Sequence, residues 1–416
     1  MKIAIIGAGI IGVTTAYELA ADGHEVHVFE RRNSACEESS FANAGVVSPG
    51  YVTPWAAPGM PSKVLKYLFQ KHAPVRLKFP LKHGELGWMR QWLKACKPKA
   101  YASARNSLQS LASYSFDCLQ HLTKTLELEY DKAQGYMVLL RGEQELAQMQ
   151  MSLKLLTDAG LIHKVLDADA ARKIEPALCA NTDLHAAIHL PNDSVANCRQ
   201  FALLLRDKAQ SLGAKFHFGT TVSHIQQGLQ GIRLNHDKND GEHSFDHVVV
   251  CAGVASSELL KPLGAHVPLI PVYGYSVSAP VREPIDAPIS GVMDERYKVA
   301  ISRIGNRVRV AGGAQIGGDP ARINQAAIQT LYKVLDDWFP AAADTKGQTA
   351  NKGRGQVQVW MGARPMLPAG PPRVGESGAD RVWLNLGHGS SGWALACGSA
   401  RLLADKIAGR KTAIDF

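Results

Sequence analysis

Four apolar residues in a row, Ile3-Ala4-Ile5-Ile6, run into Gly7-Ala8-Gly9, and apolar positions then recur at helical spacing through 11–21. An unbroken apolar run of strand length reads as a strand covered on both faces, and the periodic stretch after it as a helix laid back on the sheet. Asp22-Gly23 stops that helix, and Val26-His27-Val28-Phe29 supplies a second strand. The opening is a βαβ unit. Residues 39–61 are rich in Ser, Gly, Pro and Ala and read as a loop laid over a ligand, after which helical periodicity dominates 63–128. Strands are predicted at 135–140, 215–218 and 245–251, the last running into Ala252-Gly253, and helices at 144–159 and 201–212. Between 268 and 318 the texture changes to strands and turns, with a hairpin over 297–311 that turns at Gly305-Asn306. A last strand at 381–386 meets Gly387-His388-Gly389, and a helix is predicted over 392–408.

A chain of 416 residues exceeds what one core usually encloses, so two domains are expected. It lacks a run of about 18 uninterrupted apolar residues, so no transmembrane helix is expected. Met1-Lys2 leads straight into the core strand, which argues against a cleaved leader and for a protein on the cytoplasmic side. The seven cysteines, Cys36, Cys96, Cys118, Cys179, Cys198, Cys251 and Cys397, are scattered and never spaced as CxxC. Neither a disulfide framework nor a metal site is expected from them. The net charge of +9 has one source: residues 63–105 carry eleven Lys/Arg against a single acid, Glu85. Tyr67, Leu68, Phe69, Trp88, Met89, Trp92 and Leu93 are interleaved with that charge. Such a mixture suits peripheral contact with an anionic membrane, and a solvated helical face with a few core aromatics is the competing reading. No nucleic-acid-binding motif accompanies it, so nucleic acid is not expected as a partner.

Gly7-Ala8-Gly9-Ile10-Ile11-Gly12 fits GxGxxG. Gly7 makes the tight turn after Ile6, Gly9 lets the backbone approach a pyrophosphate, and Gly12 allows close packing of helix on sheet. The helix start then offers free N–H groups to phosphate. The motif follows a strand, opens a helix, and is followed by Glu30 at the end of the second strand, placed to accept from ribose hydroxyls. Glu30 would repel a 2′-phosphate, which leaves FAD or NAD, while Arg31 and Arg32 can flank the adenine. Flavin is favoured by the loop bearing Ser40, Asn43, Ala44 and Gly45, and by a second helix start at Gly389-Ser390-Ser391-Gly392. A helix N-terminus stabilises the negative charge of reduced flavin. Val222, Ala252, Gly253, Gly387 and His388 complete the expected cofactor contacts. His388 reads equally as a cap for the final helix.

These residues bring out a resemblance. Ser40-Phe41-Ala42-Asn43-Ala44-Gly45, Ser48-Pro49-Gly50-Tyr51 and Pro54-Trp55-Ala56-Ala57-Pro58-Gly59 resemble the flavin loop of the D-amino acid dehydrogenases. Leu190-Pro191-Asn192-Asp193, Gly274-Tyr275-Ser276, Asp294-Glu295-Arg296-Tyr297-Lys298 and Trp360-Met361-Gly362-Ala363-Arg364-Pro365-Met366 are similar too, as are the blocks at 387–393 and 396–399. The resemblance implies non-covalent FAD, deamination of D-amino acids to 2-oxo acids and ammonia, and electron delivery to a membrane quinone. It implies peripheral association with the cytoplasmic face of the membrane. The chain departs from the family at Leu367-Pro368-Ala369-Gly370, where Thr-Pro-Asp-Gly is usual.

The expected fold is α/β (α+β overall), a Rossmann-like FAD-binding domain built from 1–126, 187–266 and 350–416. A smaller mixed-sheet substrate domain, 127–186 and 267–349, is interleaved with it. An amino acid brings a carboxylate, whose natural anchor is a bidentate arginine. Arg364, read as lying in a Gly-Ala-Arg-Pro turn, matches the position at which related oxidases hold that carboxylate. Arg303, Arg307 and Arg309 compete, but their alternation suggests one exposed face. Tyr275 and Tyr297 can supplement the carboxylate site or lid the pocket, and each also reads as plain packing. No general base is expected, because the α-hydride of a neutral amine can pass directly to a flavin.

Overall fold

The computed structural model describes residues 1–81, 83–229, 231–238, 244–345 and 356–416. Lys82 of the basic segment and the expected domain boundary at 349/350 lie outside them. Lys2–Ile6, buried but for its first residue, is the centre of a six-stranded sheet. It pairs in parallel with Glu25–Glu30 on one side and His247–Val250 on the other. Lys215–Phe218 and Val382–Leu386 extend the sheet in parallel, and Arg373–Glu376 closes one edge antiparallel. A parallel sheet must be covered on both faces. One cover is the helix Ile10–Ala21, packed between Cys198–Ser211 and Gly392–Ile407. Gly392–Ile407 in turn lies on the long helix Pro98–Thr125, at Gly398. A Cβ at Gly398 would stand 2.7 Å from the Ser115 Cα, so the close crossing requires glycine there.

The second sheet is larger and mixed. Its path runs Gln358–Met366, Ile270–Pro280, Arg307–Gly317, Val299–Ile304, Gly291–Asp294, Lys132–Leu140, Ala186–Ala196 and Val46–Val47. Val75–Lys78 and Lys164–Leu166 pair at its margins. The helix Gln325–Trp338 buries Ile328, Leu331, Val334, Leu335 and Trp338 at helical spacing beneath it. A three-stranded ribbon, Val222–Gly228, Gly231–His236 and Ser244–Phe245, stands beside the first sheet.

Several elements differ from the sequence expectations. Val75–Lys78 interrupts the supposedly helical 63–128 segment. Val46–Val47 gives the 39–61 loop a strand that pairs with Ala186–Ala196. Ala186–Ala196 and Gln358–Met366, expected in the nucleotide half, hydrogen-bond into the mixed sheet. Trp88 and Trp92, for which an interfacial and a core reading stood open, are only 2% and 9% exposed and stack on each other under the mixed sheet, as the core reading expects. Trp88 donates to the carbonyl of Met366 at 2.9 Å. The outward apolar side chains of this segment are instead Leu65, Leu68, Phe69, Phe79, Leu86 and Leu93. Among the described residues, no helix is long and apolar enough to cross a membrane.

Candidate active site

The two sheets meet around a cavity of about 1690 Å³. Ile6, Gly7, Gly9, Ile10 and Ile11 line it at the first strand–helix turn. Gly7 has φ of +102°, and a Cβ there would lie 2.6 Å from the Cys251 carbonyl oxygen. Gly12 does not reach the cavity. Its hydrogen faces inward instead: a Cβ would fall 1.9 Å from the Gly7 oxygen. Gly12 thus acts through packing, holding the helix start against the turn.

Glu30 and Arg31 line the cavity at the end of the second strand. The Glu30 carboxylate accepts from Ala8 N–H at 2.7 Å and from Arg32 N–H at 2.8 Å, which binds the turn to the strand. Arg31 pairs with Glu38 at 2.6 Å. Ser40, Asn43, Ala44 and Gly45 form the adjoining wall. The Ser40 hydroxyl accepts from Ile10 N–H at 3.1 Å, and Gly45, at φ of +74°, accepts from Ala196 N–H at 2.7 Å. Val222, Ala252 and Gly253 line the cavity from the middle of the chain. From its far end come Gly387, His388, Gly389, Ser390, Ser391 and Gly392. Residues more than 350 positions apart thus face one space.

His388 is both a lining residue and a structural one. Its Nε2 lies 3.0 Å from the Ser399 hydroxyl, and burial depresses its ionisation to about 3, so the ring is neutral at physiological pH. An isolated bridge between Met366 and His388 ties the glycine turn to the mixed sheet. Asn385 Oδ1 and Trp393 Nε1, on residues that line the cavity, are buried without a hydrogen-bond partner among the described residues. Buried polar atoms are normally satisfied, and a polar ligand in the cavity would satisfy these two. The residues fit FAD: a phosphate-sized glycine turn, a carboxylate beside it, unmatched polar atoms, and ample volume.

Arg364, Tyr275 and Tyr297 line the same cavity. Arg364 lies within a strand, not in a turn: it stands opposite Val272 in an antiparallel ladder. The Gly-Ala-Arg-Pro motif looks turn-like in sequence, but Pro365 and Arg364 both pair across to Ile270–Pro280. Among the described residues the guanidinium donates one hydrogen bond, from Nη1 to the Gly313 carbonyl at 2.8 Å. Burial lowers its pKa to about 10, which leaves it charged at neutral pH with donors to spare. Tyr275 donates to Gln315 at 3.0 Å, and burial pushes its phenol up to about 12. The Tyr297 backbone N–H donates to the Asp294 carboxylate at 3.0 Å, and its ring faces the Arg141 and Lys333 cations at 5.2 and 5.3 Å. Both tyrosines also pack against the core beneath the mixed sheet.

The competing arginines do not line the cavity, but they do not form one exposed face either. Arg309 is partly buried, donates to the Asn43 carbonyl at 3.1 Å and, with Ser302 on the Ala44 carbonyl at 2.8 Å, fastens the 39–61 loop from below. Arg307 donates to the Ser278 and Gln356 carbonyls. Sequence reasoning assigned no role to Tyr51, Glu295 and Trp360, which also line the cavity. Tyr51 donates to Glu295 at 2.6 Å, and Lys298 closes on both. All three lie in blocks that carried the family resemblance, which was the available signal.

The chain is similar to known proteins in sequence and in fold. The FAD dependent oxidoreductase profile matches residues 2–406. The D-amino acid dehydrogenase of Cereibacter sphaeroides (strain ATCC 17029 / ATH 2.4.9) is 40% identical over 418 residues, covering 100% of this chain and 93% of that one. That of Allorhizobium ampelinum is 40% identical, covering 100% and 96%. The crystal structure of glycine oxidase from Geobacillus kaustophilus superposes with a TM-score of 0.75 at 20% identity, covering 99% and 96%. Glycine oxidase from Bacillus cereus ATCC 14579 gives 0.73 at 20% identity, with the same coverage. With the family profile spanning nearly the whole chain and the glycine turn, carboxylate and distal helix start around one cavity, this chain belongs to the FAD dependent oxidoreductases, in the lineage of the D-amino acid dehydrogenases.

Proposed function

We propose that this enzyme deaminates D-amino acids to 2-oxo acids and ammonia and delivers the electrons to a membrane quinone. The six-stranded side, with Gly7, Gly9, Glu30, Ser40 and the Gly387–Gly392 turn, holds FAD without a covalent bond, and the mixed-sheet side presents the substrate. FAD, when bound, supplies the hydride acceptor. The protein's own residues supply the rest. Arg364 fixes the α-carboxylate, and Tyr275 and Tyr297 bound the space beside it. With the carboxylate fixed, only one enantiomer can turn its α-C–H toward the acceptor while its side chain avoids the wall. Neutral His388 adds no charge that would compete with Arg364 for the carboxylate. Water completes the reaction by hydrolysing the imino acid after release of the hydride.

One observation carries this reading: a charged, half-buried arginine with spare donors faces the same cavity as the nucleotide-type glycine turn. The name borne by the 40% identical relatives supports the D-amino acid substrate. The likeness to glycine oxidases favours a second reading, the same chemistry with O₂ as acceptor. Anaerobic mixing with D- and L-alanine, followed at the flavin band, tests the first step. Bleaching by the D-enantiomer alone is expected, and an unbleached flavin with every D-amino acid would sink the proposal. Peroxide release in air would decide for the oxidase. Arg364→Ala removes a charge-assisted anchor worth about 2–5 kcal/mol, so KM for D-amino acids rises roughly 30-fold or more while FAD stays bound. An unchanged KM would remove Arg364 from the role.

A further inference from the structure

The strand Gln358–Met366 places Trp360, Gly362 and Arg364 on one face, opposite Ser276, Gly274 and Val272 of its neighbour. Arg364 starts opposite Val272, yet its guanidinium does not stay there. It leans diagonally over Ile270–Pro280 and reaches the Gly313 carbonyl on Arg307–Gly317, two strands from its own, at 2.8 Å. The crossing point is Gly274. A Cβ at that position would lie 2.3 Å from the Arg364 Cζ and Nη2 and 2.4 Å from Nη1. The whole guanidinium therefore rests on the bare backbone of Gly274. The backbone of Gly274 is outside the left-handed region, so its conformation would suit any residue. Only the space above it demands glycine.

We propose that Gly274 is a positioning residue for the substrate carboxylate: its missing side chain lets Arg364 bridge to Gly313 and turn its remaining donors into the cavity. The inference rests on the reading of Arg364 as the anchor. A larger residue would lift the guanidinium off the strand, break the Gly313 bond and misdirect the fork. Gly362, paired with Gly274 in the ladder, is the matched control. A Cβ there would meet the Trp360 ring first, 1.8 Å from Cη2, and the three atoms nearest to it all belong to Trp360. The two substitutions strain neighbouring points of the same sheet but touch different side chains.

The test compares Gly274→Ala, Arg364→Ala, the double variant and Gly362→Ala as holoenzymes. FAD content, KM and kcat with D-alanine, and the affinity for pyruvate from its perturbation of the flavin band are measured. Gly274→Ala is expected to keep FAD, raise KM roughly tenfold or more, and weaken pyruvate in proportion, since a small misplacement of a binding group is costly. The double variant should be no worse than Arg364→Ala within about twofold, because the two changes act on one interaction. Gly362→Ala should leave pyruvate affinity within about threefold of wild type. If Gly274→Ala fails to fold, the double variant is expected to fold and take up FAD, because the three atoms nearest the added methyl are then gone. Wild-type KM in Gly274→Ala, additive losses in the double variant, a folding defect that Arg364→Ala does not rescue, or equal loss of pyruvate in Gly362→Ala would each overturn the inference. A harmless Arg364→Ala would instead overturn the anchor itself, whereas a harmful one beside a harmless Gly274→Ala would overturn only the positioning role.

Discussion

Asp193 shows how a single buried carboxyl fastens the cofactor loop. It accepts from the Ser48 hydroxyl and from Gly50 N–H at 3.1 Å, and both of those residues line the cavity. Burial pushes its pKa up from 3.8 to about 6, which outweighs the two hydrogen bonds that favour the charged form. A raised acid gives a definite sign. Between about pH 4 and 6 the folded protein holds a proton that the unfolded chain has released, so stability falls as pH rises through that window. The shift amounts to about 3 kcal/mol across it. Asp193→Asn, which cannot ionise, is expected to flatten the slope of unfolding midpoint against pH between 4 and 6; parallel slopes for the two proteins would refute this. The contrast with Gly12 marks what is legible at this scale. Its role follows from a contact with Gly7, a few positions away, which a short motif encodes. Asp193 acts on residues 145 and 143 positions away, and Arg364 crosses Gly274 from 90 positions away, so only the folded sheet brings those pairs together. The arginine was visible in the chain by its chemistry; the glycine beneath it was not.

Among the elements, the basic stretch between Met60–Tyr67 and His83–Ala95 shows the same division between composition and geometry. Its charge was plain in the sequence. Which of its aromatics face solvent was not, because Trp and Phe read alike when helix faces are undefined by their neighbours. The tryptophans went to the core with Ile270, Val272 and Met366, while Phe69 and Phe79 stayed outside at 91% and 75% exposed. Lys63, Lys66, Tyr67 and Lys71 meanwhile line the rim of the cavity. Cations on a cavity rim, with outward apolar side chains in the same segment, are what the proposed use of an acceptor held in an anionic bilayer would call for. Changing both Phe69 and Phe79 to Ser is expected to lower co-sedimentation with anionic vesicles by roughly tenfold or more, from about 1.5–3 kcal/mol per fully buried phenylalanine discounted for shallow insertion. Activity with a soluble dye should stay near wild type, and added salt should weaken the remaining binding. Vesicle binding equal to wild type would move any membrane contact to another face.

For the molecule as a whole, the chain order matters less than the single space it encloses. The first strand–helix turn, the 39–61 loop, the Val222 and Ala252 strand ends, the mixed sheet and the final helix start contribute to one cavity, and no segment completes it alone. That interleaving was legible because nucleotide-type signals recur near both ends of the chain. The ten-stranded extent of the mixed sheet was not, since strands such as Ala186–Ala196, with Pro191 inside it, carry no alternation that marks them. A ligand gripping both sides should act as a clasp. At 100 times its dissociation constant FAD adds about 2.7 kcal/mol to unfolding. If both sheets close on it, that gain is shared, and hydrogen exchange should slow in Lys2–Ile6 and His247–Val250 of one sheet and in Ile270–Pro280 and Gln358–Met366 of the other. Protection confined to the six-stranded sheet would mean that the substrate side opens independently of the bound cofactor. The His388–Met366 bridge argues against that, because it joins the end of the arginine-bearing strand to the glycine turn of the other sheet. A substrate side that opened freely would have to break it, and with it the path along which Arg364 is held to the cavity.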